Sequence, residues 1–286
     1  MPLKDILVRL DHTTSGLTRL KQAAGMARRH GARLTGLYVL DESAHQQVIE
    51  RAGQMGLASA ADMSAMAARI AKTLTSRVEE TRKNFEQELQ NANLHGEWRC
   101  HEGSASDITA YQVRYSDICI MGQRPCDDET LPLLQESTER TILLSGRPVL
   151  MVPPKAHCEA LGRKLVVGWD ASRAAGRSVN DALAIIEGAD TADIVVIDPV
   201  ADELAHGQEP GADIAEHLAR HNCRVNVVRL EKRASVADTL CHHALKTGAD
   251  LVIAGCYGHS RIGEWLLGGT TRALLRQATM PVLMSF

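Results

Sequence analysis

Aromatic side chains are scarce in this chain of 286 residues: two Phe, three Trp and four Tyr make up 3% of it. A flavin ring needs planar partners, and no such pair stands near any ligand-like loop, which argues against a redox flavoprotein. Charge of one sign is also missing. The net charge is −3, and without a basic surplus to neutralise phosphates no nucleic acid partner is expected. No run approaches the ~18–20 consecutive apolar residues of a membrane span. The opening residues MPLKDILVRLDHTTSG interrupt their apolar run with charges and lack a signal-peptide core, so a cytoplasmic location is expected.

Catalytic signatures are missing as well. The chain has no Gly-x-x-x-x-Gly-Lys-Ser/Thr loop, no Gly-x-Ser-x-Gly elbow and no His-Glu-x-x-His pair. No catalytic residue is therefore expected, although Glu264 has the chemistry to orient a water and slow ATP hydrolysis stays open. The seven cysteines are odd in number and form no Cys-x-x-Cys, so reduced thiols are expected, with Cys119 buried in a strand-like run. His242 and His243 are adjacent and would point about 100° apart on a helix, so they do not make an i, i+4 chelating pair.

What the chain does have is an internal repeat. SDICIMGQRP (116–125) aligns with ADLVIAGCYG (249–258), and LLQESTERTILLSGRPVLMVP aligns with LLGGTTRALLRQATMPVLMSF, setting Pro148 against Pro281. Nearer the start, DILVRLDHT matches KLVVGWDAS and pairs Asp11 with Asp170, and the next strands pair Asp41 with Asp198. The chain divides into domains at 1–153 and 163–286, joined by the proline-containing stretch PPKAHCEALGRK. The first domain carries a helical insertion at about 45–92. From Ala58 to about Leu94 the insertion places Met63, Met66, Ile70, Leu74, Val78, Phe85 and Leu89 near helical spacing. Two uses suit that stripe: covering the first sheet, or adapting to an apolar ligand or partner.

Short β-branched runs alternate with helical patterns in both copies. Apolar strands without strict polar alternation suit a parallel sheet covered on both faces. The expected class is α/β: two tandem doubly wound domains, each with a mainly parallel five-stranded sheet flanked by helices. In such sheets a ligand binds beyond the carboxyl ends of the strands. Asp170, Val196 and Gly255 all fall at that edge.

The most pointed chemistry lies in the last segment. Gly255-Cys256-Tyr257-Gly258, nine residues, then Gly268-Gly269-Thr270-Thr271 is a loop suited to phosphate. Glycines let a ligand approach the main chain, and free N–H groups at a helix start attract anions. A plain tight turn between strand and helix is the competing account of the same glycines.

These glycine spacings, with an Asp after the first strand and a closing PVLM strand, resemble the universal stress protein family in a tandem form, with its adenine nucleotide alpha hydrolase-like fold. The resemblance implies binding of ATP, AMP or ADP, with Mg at the phosphates. It implies that Asp170 contacts adenosine, Val196 offers main-chain groups to adenine, Gly255 lies by the ribose, and Gly258, Gly268, Gly269, Thr270 and Thr271 hold phosphates. His259 and Arg261 are phosphate neighbours by position alone. Gly269 stands where the family has Ser or Thr, with Thr270 and Thr271 directly behind it.

In the first copy Pro125 replaces the second glycine and Gln135-Glu136 replace Gly268-Gly269, which removes a donor and adds negative charge, so no triphosphate site is expected in 1–152. The expected role is that of a stress-response protein whose nucleotide occupancy governs association with a protein partner. A nucleotide-independent module for an apolar metabolite and a weak ATPase are the alternatives. The two PVLM strands are expected to pair within the chain as a pseudo-dimer, with a further homodimer open.

Overall fold

A computed structural model of the protein describes residues 2–40, 60–123, 132–154, 161–199, 209–256 and 269–286. The first half runs β1 (Asp5–Leu10), α1 (Thr14–His30), β2 (Arg33–Leu40), α2 (Ala60–Ala92), β3 (Gly96–Glu102), α3 (Ala105–Val113), β4 (Ile118–Gly122), α4 (Pro132–Ser145) and β5 (Val149–Val152). The second half runs β6 (Lys164–Gly168), α5 (Arg173–Glu187), β7 (Thr191–Ile197), α6 (Ala212–Arg220), β8 (Val225–Leu230), α7 (Val236–Thr247), β9 (Leu251–Gly255), α8 (Gly269–Gln277) and β10 (Val282–Ser285).

All the strands among the described residues join in one ten-stranded sheet of order β3-β2-β1-β4-β5-β10-β9-β6-β7-β8. Each half repeats the same five-strand order with parallel pairing, as expected for doubly wound units. The halves meet where β5 and β10 pair antiparallel, Val149 facing Met284, Leu150 facing Leu283 and Met151 facing Val282. Both apolar PVLM strands are thereby interior to the sheet. Because that one pairing is antiparallel, the carboxyl ends of the two sets of strands point in opposite directions.

The repeat extends to the capping chemistry. Thr13 and Ser172 cap α1 and α5 by accepting from the Gly16 and Ala175 amides, and Ser104 and Ser235 cap α3 and α7 in the same manner. Asp117 and Asp250, one residue before β4 and β9, are also equivalent. Asp117 accepts from the Lys4 and Asp5 amides, and Asp250 from those of Gly162, Arg163 and Lys164. Each carboxylate ties the start of its half to the middle of its sheet.

Both faces of the sheet are covered except along the outer strands β3 and β8. One core runs along the face holding Ile6, Val8, Ile120, Leu150, Leu283, Val167 and Ile194, beneath α1 and α5. The other holds Leu7, Cys119, Val149, Met284, Val166 and Val195, beneath α4, α7 and α8. Cys119 is fully buried and its thiol pKa is pushed up to about 12 by that burial.

Helix α2 forms where the apolar spacing placed it, but it covers the sheet only with its last turns. Phe85 is buried against Trp98, ring centroids 5.8 Å apart, and lies over Gly36, where a Cβ would come within 2.8 Å of the ring. Thr81 is also buried and Leu89 packs on the same core. At 33 residues the helix is about 50 Å long. Its outer half leaves Met66 at 40% exposure. No helix among the described residues is long and apolar enough to cross a membrane.

Gly255 closes β9 under the first turn of α5. A Cβ there would lie 2.6 Å from the Ala175 nitrogen and 2.7 Å from the Ala174 oxygen, both main-chain atoms that cannot swing away. Gly269, by contrast, has open space around it. Gly255→Ala is expected to cost about 1–3 kcal/mol by overpacking, whereas Gly269→Ala stays within about 0.5 kcal/mol. Urea midpoints of the two variants measure this.

Candidate functional site

The edge of interest is formed by the carboxyl ends of β6, β7 and β9 and the start of α8. Strand β6 ends at Gly168, the chain turns through Trp169 and Asp170, and Ser172 starts α5. Asp170 is exposed and accepts one hydrogen bond, from the Ser172 amide to Oδ1 at 3.0 Å. Among the described residues it forms no ion pair, so Oδ2 is open to a ligand hydroxyl or amine. The turn beyond it is held in an uncommon conformation: Ala171 has φ of 56°, and Asp198, past β7 on the same edge, has φ of 43°. Such positions tend to gather where a backbone is held for a ligand.

The first half places the same parts differently. Asp11 accepts from the Thr13 amide at 2.9 Å and the Thr13 hydroxyl through Oδ1, matching Asp170 so far. Its Oδ2, however, receives Arg19 Nη2 at 2.5 Å, while Arg19 Nε donates to the Arg9 carbonyl at 2.9 Å. Arg19 is 3% exposed and lies where a side chain on Gly122 would be, with Cζ 3.1 Å from that position. The equivalent of Arg19 in the second half is Ser178, fully buried and bonded to the Ala175 carbonyl at 2.9 Å. A guanidinium thus neutralises Asp11, and among the described residues nothing of the kind reaches Asp170.

The structure reassigns two of the residues read from sequence. Successive residues of a strand direct their N–H and C=O groups to opposite neighbours. Trp169 N–H donates to the Val195 carbonyl and Asp198 N–H to the Leu230 carbonyl, so Val195 faces β6 while Val196 faces β8, where it stands in register with Arg229. The main chain of Val196 is consumed by the β7–β8 ladder. Ile197 is the residue whose main-chain groups face β6, beyond Gly168, the last β6 residue in the ladder. Strand phase, which the sequence does not print, separates the two.

Thr271 is the other. It is 3% exposed and hydrogen bonds the Cys256 thiol, so it belongs to the core under α8. Burial pushes the Cys256 thiol up to about 12 despite that bond. Thr138, its equivalent in α4, is buried too. Thr270 is half-buried and Gly269 exposed at the start of α8, where first-turn N–H groups have no partner within the helix. Of the two threonines, Thr270 is thus the one whose side chain is not buried. Gly258, His259 and Gly268 lie outside the described residues, as do Arg261 and Glu264.

Elsewhere, His243 Nε2 lies 2.9 Å from Asp193 Oδ2 and pins α7 to β7, and His242 beside it is exposed. No group of three or more His, Cys, Asp or Glu is arranged around a metal position among the described residues.

This architecture, a doubly wound unit repeated across one sheet, defines an α/β class of fold. Residues 162–285 match the universal stress protein family model. Over the whole chain, a universal stress protein from Archaeoglobus fulgidus DSM 4304 is similar, with 16% identity, a TM-score of 0.65 and coverage of 98% of this chain and 97% of that one. A functionally unknown protein from Pseudomonas aeruginosa PAO1 gives 17% identity and a TM-score of 0.59, covering 99% and 92%. At these identities the likeness is one of fold. No curated protein matches the sequence.

The Asp11–Arg19 pair has a pH signature. Burial alone would raise the Asp11 pKa, but the Arg19 guanidinium and the Thr13 bonds outweigh it and hold the carboxyl below its ordinary 3.8. Since the folded value is the lower one, the contribution is complete above the unfolded value and lost as pH falls through the folded one. With the Asp11 side chain 43% exposed, solvent screening keeps the pair to about 1–2 kcal/mol. Arg19→Met is expected to be destabilised by that amount at neutral pH and to converge with the parent protein in strong acid. Denaturant titrations across pH check it.

Proposed function

We propose that the second half of the chain binds ATP, AMP or ADP at the edge formed by Asp170, Ile197, Gly255 and the start of α8, and that occupancy governs association with a protein partner in the cytoplasm. The observation that carries this reading is the open Oδ2 of Asp170, set against the neutralised Oδ2 of Asp11. A ribose hydroxyl or the adenine amine is a natural donor to it. Ile197 offers the main-chain donor and acceptor that recognise an adenine edge.

The phosphates lie, in this reading, against the N–H groups at the start of α8, with Thr270 adding its hydroxyl and Gly258, His259 and Gly268 contributing from the loop. The residues present suit a nucleotide: oxygen acceptors for the nucleoside, then main-chain donors and a positive helix end for the anion. Magnesium bound to the phosphates would screen their charge. Gly255 serves the site indirectly, by letting α5 approach β9.

We read 1–153 and 163–286 as two domains, the first supplying a rigid half of the sheet. Its Asp11 is occupied by Arg19, so it takes no nucleotide. Hydrolysis is not assigned, because no residue at the described edge is positioned to activate water.

Calorimetry with ATP and magnesium tests the reading on the intact protein. Binding is expected, weakened at least tenfold in Asp170→Ala, which corresponds to about 1.4 kcal/mol for a lost bond to a charged group. Thr270→Ala is expected to weaken it less, and Thr271→Val to leave affinity unchanged while lowering stability. Undetectable binding by the intact protein would sink the proposal.

A further inference from the structure

Two of the four tyrosines stand together on the surface of the first half. Tyr111, in the last turn of α3, is 59% exposed, and Tyr115, just past its end, is 79% exposed. In a chain so poor in aromatics this is an uneven distribution. Between them Arg114 lies over the Tyr111 ring, its Cζ 4.6 Å from the centroid. Arg114 Nη2 also donates to the Leu144 carbonyl at 3.2 Å, in the last turn of α4, and Arg147 Nη2 donates to the Arg114 carbonyl at 3.4 Å. Leu144 is itself 38% exposed. The ends of two helices thus converge on a patch made of Tyr111, Arg114, Tyr115, Leu144 and Arg147.

Capping accounts for part of this arrangement. Guanidinium groups satisfy the last carbonyls of a helix and suit its negative end. The charge is not used up by that role. Each helix end carries roughly −0.5, so two ends offset about one of the two positive charges and leave about +1. Among the described residues neither arginine forms an ion pair, whereas Arg33, Arg99 and Arg140 in the same half bond Asp5, Glu97 and Asp107. Capping also gives no reason for two large exposed rings beside the cations. Tyrosine and arginine together are the side chains that most often dominate protein interfaces, because both bury much area at fixed geometry.

We infer that this patch docks an acidic protein segment, its carboxylates meeting Arg114 and Arg147 and an apolar side chain lying between Tyr111, Tyr115 and Leu144. The positive residue of charge on a chain of net −3 selects that partner. Nucleic acid is disfavoured, since two guanidinium groups neutralise too few phosphates to hold it against physiological salt. The inference rests on the association part of the function proposed above and is independent of nucleotide binding.

The test is fluorescence anisotropy with the full chain and a short dye-labelled peptide of Glu, Asp and Leu, with polyuridylate as competitor. Micromolar binding is expected, weakened at least tenfold in Tyr111→Ala/Tyr115→Ala and in Arg114→Gln/Arg147→Gln, and reduced at about 0.3 M salt. The tyrosine variant keeps both helix caps and removes only exposed rings, so circular dichroism should show it folded even if the arginine variant is not. No binding, equal affinity in the tyrosine variant, or preference for polyuridylate would each overturn the inference. A failure of ATP to bind in calorimetry would leave it standing.

Discussion

The antiparallel pairing of β5 with β10 is the constraint on which the rest of the structure depends. Leu150 against Leu283, flanked by Val149, Met151, Val282 and Met284, turns two five-stranded sheets into one and removes two apolar edges that would otherwise invite aggregation. It also fixes where chemistry can occur. With the halves reversed, the carboxyl ends of β1 and β4 lie at one edge of the sheet and those of β6 and β9 at the other. The seam has polar links as well: Gln123, just past β4, donates through Nε2 to the Leu275 carbonyl in α8 at 3.0 Å. The helix that starts beside the candidate phosphate loop is therefore in direct contact with the other half.

On so symmetric a frame, the proposed functions rest on departures from symmetry. Thr13 and Ser172 cap alike, Asp117 and Asp250 brace alike, and Asp11 and Asp170 leave their strands alike. Arg19 and Ser178 do not match. In the first half a buried guanidinium fills the space over Gly122 and takes the second oxygen of Asp11; in the second, α5 closes directly onto Gly255 and the carboxylate stays open. One substitution in a repeat thereby separates a neutralised carboxylate from an open one. The Tyr111–Tyr115 patch is a second departure, exposing two rings on the first half.

Much of this was legible in the sequence. The repeat, the strands, the two-layered covering of the sheet and the position of α2 follow from spacing and composition, because burial on both faces forces apolar runs and the helical stripe forces its period. The expectation of no triphosphate in the first half rests on Pro125, Gln135 and Glu136, and those positions say nothing of Arg19, which acts across eight residues and a change of element. Strand phase hid the distinction between Val196 and Ile197. Helix phase hid that between Thr270 and Thr271, one turned outward and the other onto Cys256. The apolar stripe of α2 gave no sign of ending at the sheet, since Met66 and Phe85 share a pattern and differ only in what lies beneath them.

The central claim is that one open carboxylate, Asp170, makes this a chain with a single nucleotide site. Native mass spectrometry of the intact protein with ATP counts the ligands directly. The account predicts one nucleotide per chain, lost in Asp170→Ala and retained in Asp11→Ala. Two nucleotides per chain, or one that survives Asp170→Ala, would contradict it.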